Sequence, residues 1–293
     1  MCSIDDDCSA SISEMLSLTT ALTTAATRPP LARHMSLLGG EWAGWCCAAS
    51  AATGELHPVP EKYCSDAMIE WGQVPMGFEE CTTEAGSERR TVRFLPEDGC
   101  SVEDLPAEVS RATLPRPVPS TEGTVVALDV MVEDGGSGPS TMWRCETIFE
   151  GHGGVLPRQR KTALESMAQR TRVSILFDAT TGSLAAREPI RIWQERCWSQ
   201  ETNQLAVREG GGRSGVDAAW LSTAIGMGNF GDAKPLERAA LERDDDGTLR
   251  VALAGGVSLA CRPGALDVAL ANIDGKSIGM LRREFVEGAV TVR

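Results

Sequence analysis

The feature that most constrains the fold is a long succession of short segments in which apolar side chains alternate with other residues. In "TVVALDVMV", for example, Val126, Leu128 and Val130 fall on one side of an extended chain. A period of two is the pattern of a β-strand with one covered face. From Leu236 to Arg293, such segments alternate with "DDDG", "RPG", "IDGK" and "VEG", which are typical hairpin turn sequences. The pattern predicts a meander of antiparallel strands.

The number and spacing of these segments indicate the fold class. We count roughly ten to fourteen strands at the spacing of about 8–12 residues that is typical of all-β sandwiches and barrels. Closing a large sheet on itself removes its unpaired edges, so a barrel is preferred over an open sheet. An eight-stranded barrel would use only about half of the 293 residues. We therefore predict an all-β, antiparallel up-and-down barrel that is enlarged or doubled, with few and short helices.

Composition divides the chain into an extension and one β domain. Residues 1–33 are rich in Ser, Thr and Ala and end near the helix-breaking Arg28-Pro29-Pro30. We predict that they form an N-terminal extension, either flexible or docking as an arm, and leave open whether they are processed. Residues 34–293 form the predicted β domain. The Pro-rich segment 103–123 is interpreted as a long loop that divides two sub-sheets.

Charge and residue types exclude several classes of function. A formal net charge of −13 argues against a nucleic-acid partner, because phosphate binding needs clustered cations. No run approaches the roughly 20 apolar residues that span a bilayer, so we predict no transmembrane segment. The 10 cysteines form no C-x-x-C pair and the 3 histidines show no zinc-ligand spacing, so no metal site is predicted.

Motif searches do not identify an enzyme. Residues 226–231, "GMGNFG", match G-x-G-x-x-G, but their flanks lack the strand and helix of a dinucleotide-binding unit, so a tight loop is the preferred interpretation. His152 lies in "EGHGG", yet no partner for a general base can be identified. The question of catalysis stays open, with a non-enzymatic role favoured and no catalytic residue nominated.

Tryptophans interleaved with arginines suggest a ligand site. Trp143 is followed by Arg144, and Arg191 precedes Trp193 by two positions. A pocket lined by aromatic groups and a few cations suits an apolar ligand that carries carboxylates. We therefore predict these four residues as ligand-binding. The alternative, that the tryptophans fill the core while the arginines face solvent, is equally compatible with the pattern.

Two short motifs near the ends of the β domain resemble the lipocalins. Gly40-Glu41-Trp42 forms a G-x-W at the entry to the first strand, and Arg283 lies on a late strand in "LRREF". In lipocalins, a first-strand tryptophan packs against a late-strand arginine and closes the barrel. The resemblance implies that Gly40, Trp42 and Arg283 have this structural role.

The wider pattern is similar to the lipocalin-like S-type phycobiliprotein lyases and to larger lipocalin-like proteins of photosynthetic organisms. It includes "GEWAG", "TGEL" with "PVPEKY", "EWG", "RTRVSILFDATTGSL" and "LRREFVEGAVTV". The resemblance implies a barrel that binds an apolar or tetrapyrrole (bilin) ligand and assists pigment-protein assembly, in the plastid stroma or at the thylakoid, with the cytoplasm as the alternative. Any enzymatic activity would be bilin lyase-like. The competing hypothesis is a non-catalytic structural or assembly subunit of a photosystem or antenna complex, which contacts its partners through the N-terminal arm and loops.

Overall fold

Strands dominate the computed structural model, which describes residues 37–94, 107–121, 123–133, 141–151, 168–199, 241–271 and 277–293. The N-terminal extension 1–33, the glycine motif 226–231 and His152 lie outside the described residues. The strands are β1 Gly40–Ala49, β2 Leu56–His57, β3 Gly77–Ala85, β4 Glu88–Phe94, β5 Ala107–Thr113, β6 Val118–Pro119, β7 Val125–Met131, β8 Met142–Glu150, β9 Gln169–Asp178, β10 Ser183–Leu184, β11 Ile190–Ser199, β12 Leu241–Arg243, β13 Leu249–Ala252, β14 Val257–Arg262, β15 Ala265–Ala271, β16 Ser277–Val286 and β17 Ala289–Val292.

Helical structure in the described residues is limited to short turns. α1 covers Asp66–Glu70, and single 3₁₀ turns cover Glu61–Tyr63 and Ala254–Gly256. Ser65 is the N-cap of α1, and its hydroxyl accepts a hydrogen bond from the Met68 amide at 3.2 Å. The prediction of an all-β, barrel-like fold with few short helices is confirmed.

The strands form two antiparallel sheets. The large sheet has the order β5-β4-β3-β1-β11-β9-β8-β7-β6, with β2 added beside β1 and β10 beside β9. The small sheet is a simple meander from β12 to β17. Leu266, Val268 and Leu270 of β15 face inward while the residues between them are only partly covered, which is the predicted period of two.

The two sheets share one hydrophobic core. Val173, Ile175 and Phe177 of β9 lie on the face of the large sheet that meets Leu266 and Val268 of the small sheet. We call this face of the large sheet the core face. Arg283 of β16 crosses the sheet junction, where its fully buried guanidinium donates hydrogen bonds to Asp129, Thr147 and the Glu146 carbonyl at 2.8–2.9 Å.

Part of the segment 103–123, which was interpreted as a dividing loop, belongs to the large sheet, and residues 103–106 and 122 lie outside the described residues. Residues 107–113 form β5, which pairs with β4 along its whole length, and Val118–Pro119 forms β6 at the opposite end of the strand order. The chain passes from the large sheet to the small sheet between Ser199 and Leu241 instead. Pro115 and Pro117 fall between β5 and β6, and Pro119 lies in β6, an edge strand, where proline is tolerated.

The large sheet is strongly curled into a half-barrel. Its strand β9 is covered on both faces. Along β9, the core-face residues alternate with Arg170 and Arg172, and these arginines are 0% and 2% exposed. The polar half of the alternation therefore does not face solvent. It faces the inside of the curl.

Candidate functional site

The concave side of the large sheet carries a set of paired charged side chains, which we call the ionic network, beside a small apolar cluster of Leu37, Val126, Leu128 and Ile148. Its members are four arginines and four glutamates, Glu80, Glu84, Arg89, Arg93, Glu146, Arg170, Arg172 and Glu195. They come from β3, β4, β8, β9 and β11, at positions that alternate with the core-face residues. The formal charges of the network sum to zero.

Arg170 is the centre of the ionic network. Its Nη1 donates to Glu84 Oε2 at 2.8 Å and to the Leu37 carbonyl at 2.6 Å, and its Nε donates to Glu195 Oε2 at 2.7 Å. All three side chains in these ion pairs are at most 1% exposed. Hydrogen bonds to charged partners in a dry interior are strong, and they offset the cost of burying these ions.

Arg89 joins strands that are distant in the sheet. Its Nη1 and Nη2 donate to the two oxygens of Glu146 at 2.9 and 2.7 Å, and its Nε donates to Glu84 at 2.6 Å. Four strands separate β4 from β8 in the strand order. The bidentate pair therefore spans the concave side and holds the two arms of the curl together.

Two tryptophans stack on the network arginines. The Arg170 guanidinium carbon lies 4.0 Å from the centre of the Trp42 ring, and that of Arg172 lies 3.9 Å from the Trp193 ring. The Trp193 indole N–H donates to Glu80 Oε2 at 2.7 Å, and that of Trp42 donates to the Gly39 carbonyl at 2.9 Å. Planar guanidinium groups favour such stacking.

Two glutamates of the network, Glu84 and Glu195, are held in the ionised form. Burial raises the pKa of Glu84, but Arg170 and Arg89 outweigh it and hold the pKa well below its usual range. Burial also raises the pKa of Glu195, and Arg170 with Arg172 more than reverses this effect. Carboxylates in this state accept hydrogen bonds only, and their neighbours already occupy them. The network is a structural filling of the half-barrel and leaves little capacity for a ligand there.

A cavity of about 290 Å³ opens at one end of the same face. Strand β1 contributes Cys46 and Ala48 to its walls, and β3 contributes Gly77 and Phe78. The remaining lining residues are His57, Pro58, Val59, Pro60, Lys62, Tyr63, Met76, Arg93, Pro189 and Arg191. We call this cavity the β2 pocket. The volume lies at the lower limit of about 300–1,000 Å³ that is typical of ligand sites.

Local contacts fix the walls of the β2 pocket. The Val59 amide donates a hydrogen bond to the Pro75 carbonyl at 2.8 Å, which joins the two ends of segment 59–75 beside the pocket. The Tyr63 and Phe78 rings meet edge to face at 5.5 Å. Gly77 is required at the β1–β3 contact, because a Cβ there would lie 2.7 Å from the Cys46 carbonyl oxygen. Burial raises the pKa of the Cys46 thiol well above its ordinary value, so this wall of the pocket is neutral.

The structure does not bring the four predicted ligand-binding residues together. Trp143 lies on the core face, where its ring is 5.5 Å from Phe285, whereas Trp193 lies on the ionic side. Arg144 is exposed and pairs with Glu188 at 2.9 Å. Of the four, only Arg191 lines the β2 pocket.

Trp42 does not pack against Arg283, which was the pairing expected from the resemblance. The arginine that stacks on Trp42 is Arg170 of β9, and Arg283 binds Asp129 at the sheet junction instead. Gly40 enters β1 with φ +83°, a conformation that favours glycine. Gly40 thus lies at the start of the first strand, as expected. Trp42 contacts Arg170 because β9 lies only two strands from β1 in the curled sheet.

Comparisons with known proteins give no relatives: no family model, no curated protein and no solved structure matches the chain. Among the described residues, no group of His, Cys, Asp and Glu is arranged to hold a metal ion. Within the same ranges, no helix has the length and apolar character needed to cross a membrane.

Proposed function

We propose that this protein binds a small apolar ligand in the β2 pocket, and that the interior of its barrel-like sheet serves to hold the fold. The observation that carries the proposal is the contrast between the two sites. The concave interior is filled by paired ions, whereas the β2 pocket is an open cavity with apolar walls, including Val59, Met76 and Phe78. Concave, mostly apolar sites with a few polar groups are the usual form of ligand pockets.

The sequence resemblance to phycobiliprotein lyases supports a tetrapyrrole-type ligand and a role in pigment-protein assembly in a plastid. The size of the β2 pocket limits this idea. A cavity of about 290 Å³ is too small to enclose all four rings of a bilin, so one end of such a ligand would enter the pocket while the rest stays outside.

The second candidate is a structural or assembly subunit of a photosynthetic complex. The filled interior favours it, because a barrel packed with ion pairs such as Arg170–Glu84 resembles a rigid scaffold. Partners would then bind the N-terminal arm and loops. Stable co-purification with a pigment-protein complex, combined with an empty β2 pocket, would favour this role over ligand binding.

Filling the pocket tests the first candidate. Ala48 lines the β2 pocket and is partly covered, so Ala48→Leu adds volume inside the cavity. Ala52→Leu is the matched control, because Ala52 is exposed in the turn that follows the same strand. Isothermal titration with 4-phenylbutyrate, 4-phenylbutyramide and biliverdin should show binding to the wild type and to Ala52→Leu, and at least ten-fold weaker binding to Ala48→Leu. Equal affinities of both variants, or no binding by the wild type, would contradict the proposal.

A further inference from the structure

The charge of the β2 pocket is opposite to that of the whole protein. The chain carries a formal net charge of −13, yet the pocket lining contains Lys62, Arg93, Arg191 and His57 and no aspartate or glutamate. A cavity whose polar lining groups are cations and hydrogen-bond donors attracts an anionic group. The lining therefore constrains the ligand beyond its being small and apolar.

The three cations are not equivalent. Arg93 already pairs with Glu80 at 2.7 Å and stacks over Phe78 at 4.5 Å. Lys62 lies over the Tyr63 ring at 4.4 Å, with its ammonium in solvent. Arg191 makes no ion pair with any carboxylate among the residues that the structure describes. Lys62 also makes no ion pair among these residues, but it lies in a single 3₁₀ turn, whereas Arg191 lies on a strand that is paired with β1 on one side and β9 on the other. Arg191 is therefore the better positioned of the two cations to hold a ligand.

Strand register sets the position of Arg191 at the pocket. Ala48 of β1 pairs with Arg191 of β11 on one side and with His57 of β2 on the other. Neighbouring strands are spaced by about 4.8 Å, so the backbones of Arg191 and His57 are about 10 Å apart on the same face. The methyl group of Ala48 leaves the gap between their side chains open, and both can donate hydrogen bonds into it.

We propose that the β2 pocket binds a small apolar carboxylic acid, with the carboxylate on Arg191 and the apolar body against Val59, Met76 and Phe78. This inference rests on the proposed function and deepens it by naming the ligand class and the anchor. Guanidinium groups bind carboxylates in a bidentate manner, whereas an amide of the same shape lacks the charge. A bilin satisfies the same chemistry through one carboxylate-bearing arm.

Matched ligand pairs test the inference separately from the proposed function. Isothermal titration would compare 4-phenylbutyrate with 4-phenylbutyramide, and biliverdin with its dimethyl ester, on the wild type, Arg191→Ala and Arg144→Ala. Arg144 is the matched control, because it is an exposed arginine of the same sheet that does not line the pocket. We expect the wild type and Arg144→Ala to bind the carboxylate at least ten-fold more tightly than the neutral analogue. In Arg191→Ala this preference should fall to less than three-fold.

Each other outcome has a distinct meaning. If no probe binds the wild type, the proposed function fails. If the wild type binds the probes but shows no preference for the carboxylate in either matched pair, the pocket is a ligand site but the inference of an anionic ligand is overturned. If the preference for the carboxylate persists in Arg191→Ala, the assignment of the anchor is overturned. If biliverdin binds more tightly than its dimethyl ester while 4-phenylbutyrate and its amide bind equally, the carboxylate belongs to a bilin. The proposal of a small carboxylic acid as the ligand would then be overturned.

Discussion

At the residue scale, the concave interior contains buried charges that are paired with opposite charges. Glu84 receives hydrogen bonds from Arg170, Arg89 and the Gly39 amide, and it is 1% exposed. An ion in this position stabilises the fold only while its partners are present, because an unpaired charge in a dry interior is costly. Breaking an ion pair at the surface costs little, because water solvates the remaining partner.

Neutralising Glu84 should therefore be far more damaging than neutralising an exposed glutamate. Glu84→Gln leaves Arg170 and Arg89 with one carboxylate fewer, and we expect the free energy of unfolding to fall by about 3–5 kcal/mol. The control is Glu188→Gln, whose partner Arg144 is exposed, with an expected loss below about 1 kcal/mol. Urea unfolding followed by far-UV circular dichroism measures both. Similar losses in the two variants would mean that the buried pairs add nothing special.

At the scale of elements, the joint between the two sheets depends on close contact between two hairpin turns. The turn between β9 and β10 lies against the turn between β14 and β15, where the Gly264 amide donates to the Ala179 carbonyl at 2.7 Å. Gly182 has φ +68°, and a Cβ there would lie 2.2 Å from the backbone carbon of Arg262. Glycine is thus required at this position for its conformation and for its small size.

Gly182→Ala separates these two requirements when it is compared with Gly86→Ala. Gly86 has a similar φ of +61°, but nothing lies within 4 Å of its added Cβ. Gly86→Ala should cost about 1 kcal/mol from backbone strain alone. Gly182→Ala should cost a further 1–3 kcal/mol or so, because the turns must move apart. Thermal unfolding of both variants checks the difference, and equal midpoints would show that the turns are not in close contact.

The strands could be predicted from the sequence more fully than their order in the sheet or the burial of their polar face. Alternation predicted β7 and the meander of the small sheet, because the period of two is a local property. In "RTRVSILFD", the same alternation made Arg170 and Arg172 resemble a solvent-facing row, and only the curl of the sheet buries them. The Glu-Arg pairing between β3 and β9 depends on strand order, which no local pattern contains. Arg191 was predicted as a ligand-binding residue because it lies two positions before Trp193, whereas segment 58–63, "PVPEKY", entered only as part of the family resemblance and with no predicted place in a pocket.

At the scale of the whole molecule, the central claim is that ion pairs close the half-barrel from inside and leave ligand binding to the β2 pocket. The pair that carries this claim is Arg89–Glu146, since it links β4 to β8 across the concave side. Arg144–Glu188 is the natural comparison, because it is an exposed pair that joins β8 to the segment before β11. If the interior is packed as described, the two pairs should differ strongly in coupling energy.

A double-mutant cycle on Arg89 and Glu146 measures this coupling most directly. The variants are Arg89→Met, Glu146→Gln and the double substitution, with the free energy of unfolding obtained from urea titrations, and a parallel cycle with Arg144→Met and Glu188→Gln is the reference. We predict a coupling energy of about 2 kcal/mol or more for Arg89–Glu146 and below about 0.5 kcal/mol for Arg144–Glu188. A coupling for Arg89–Glu146 no larger than that of the exposed pair would contradict the account, because the arms of the curled sheet would then not be held together by charge.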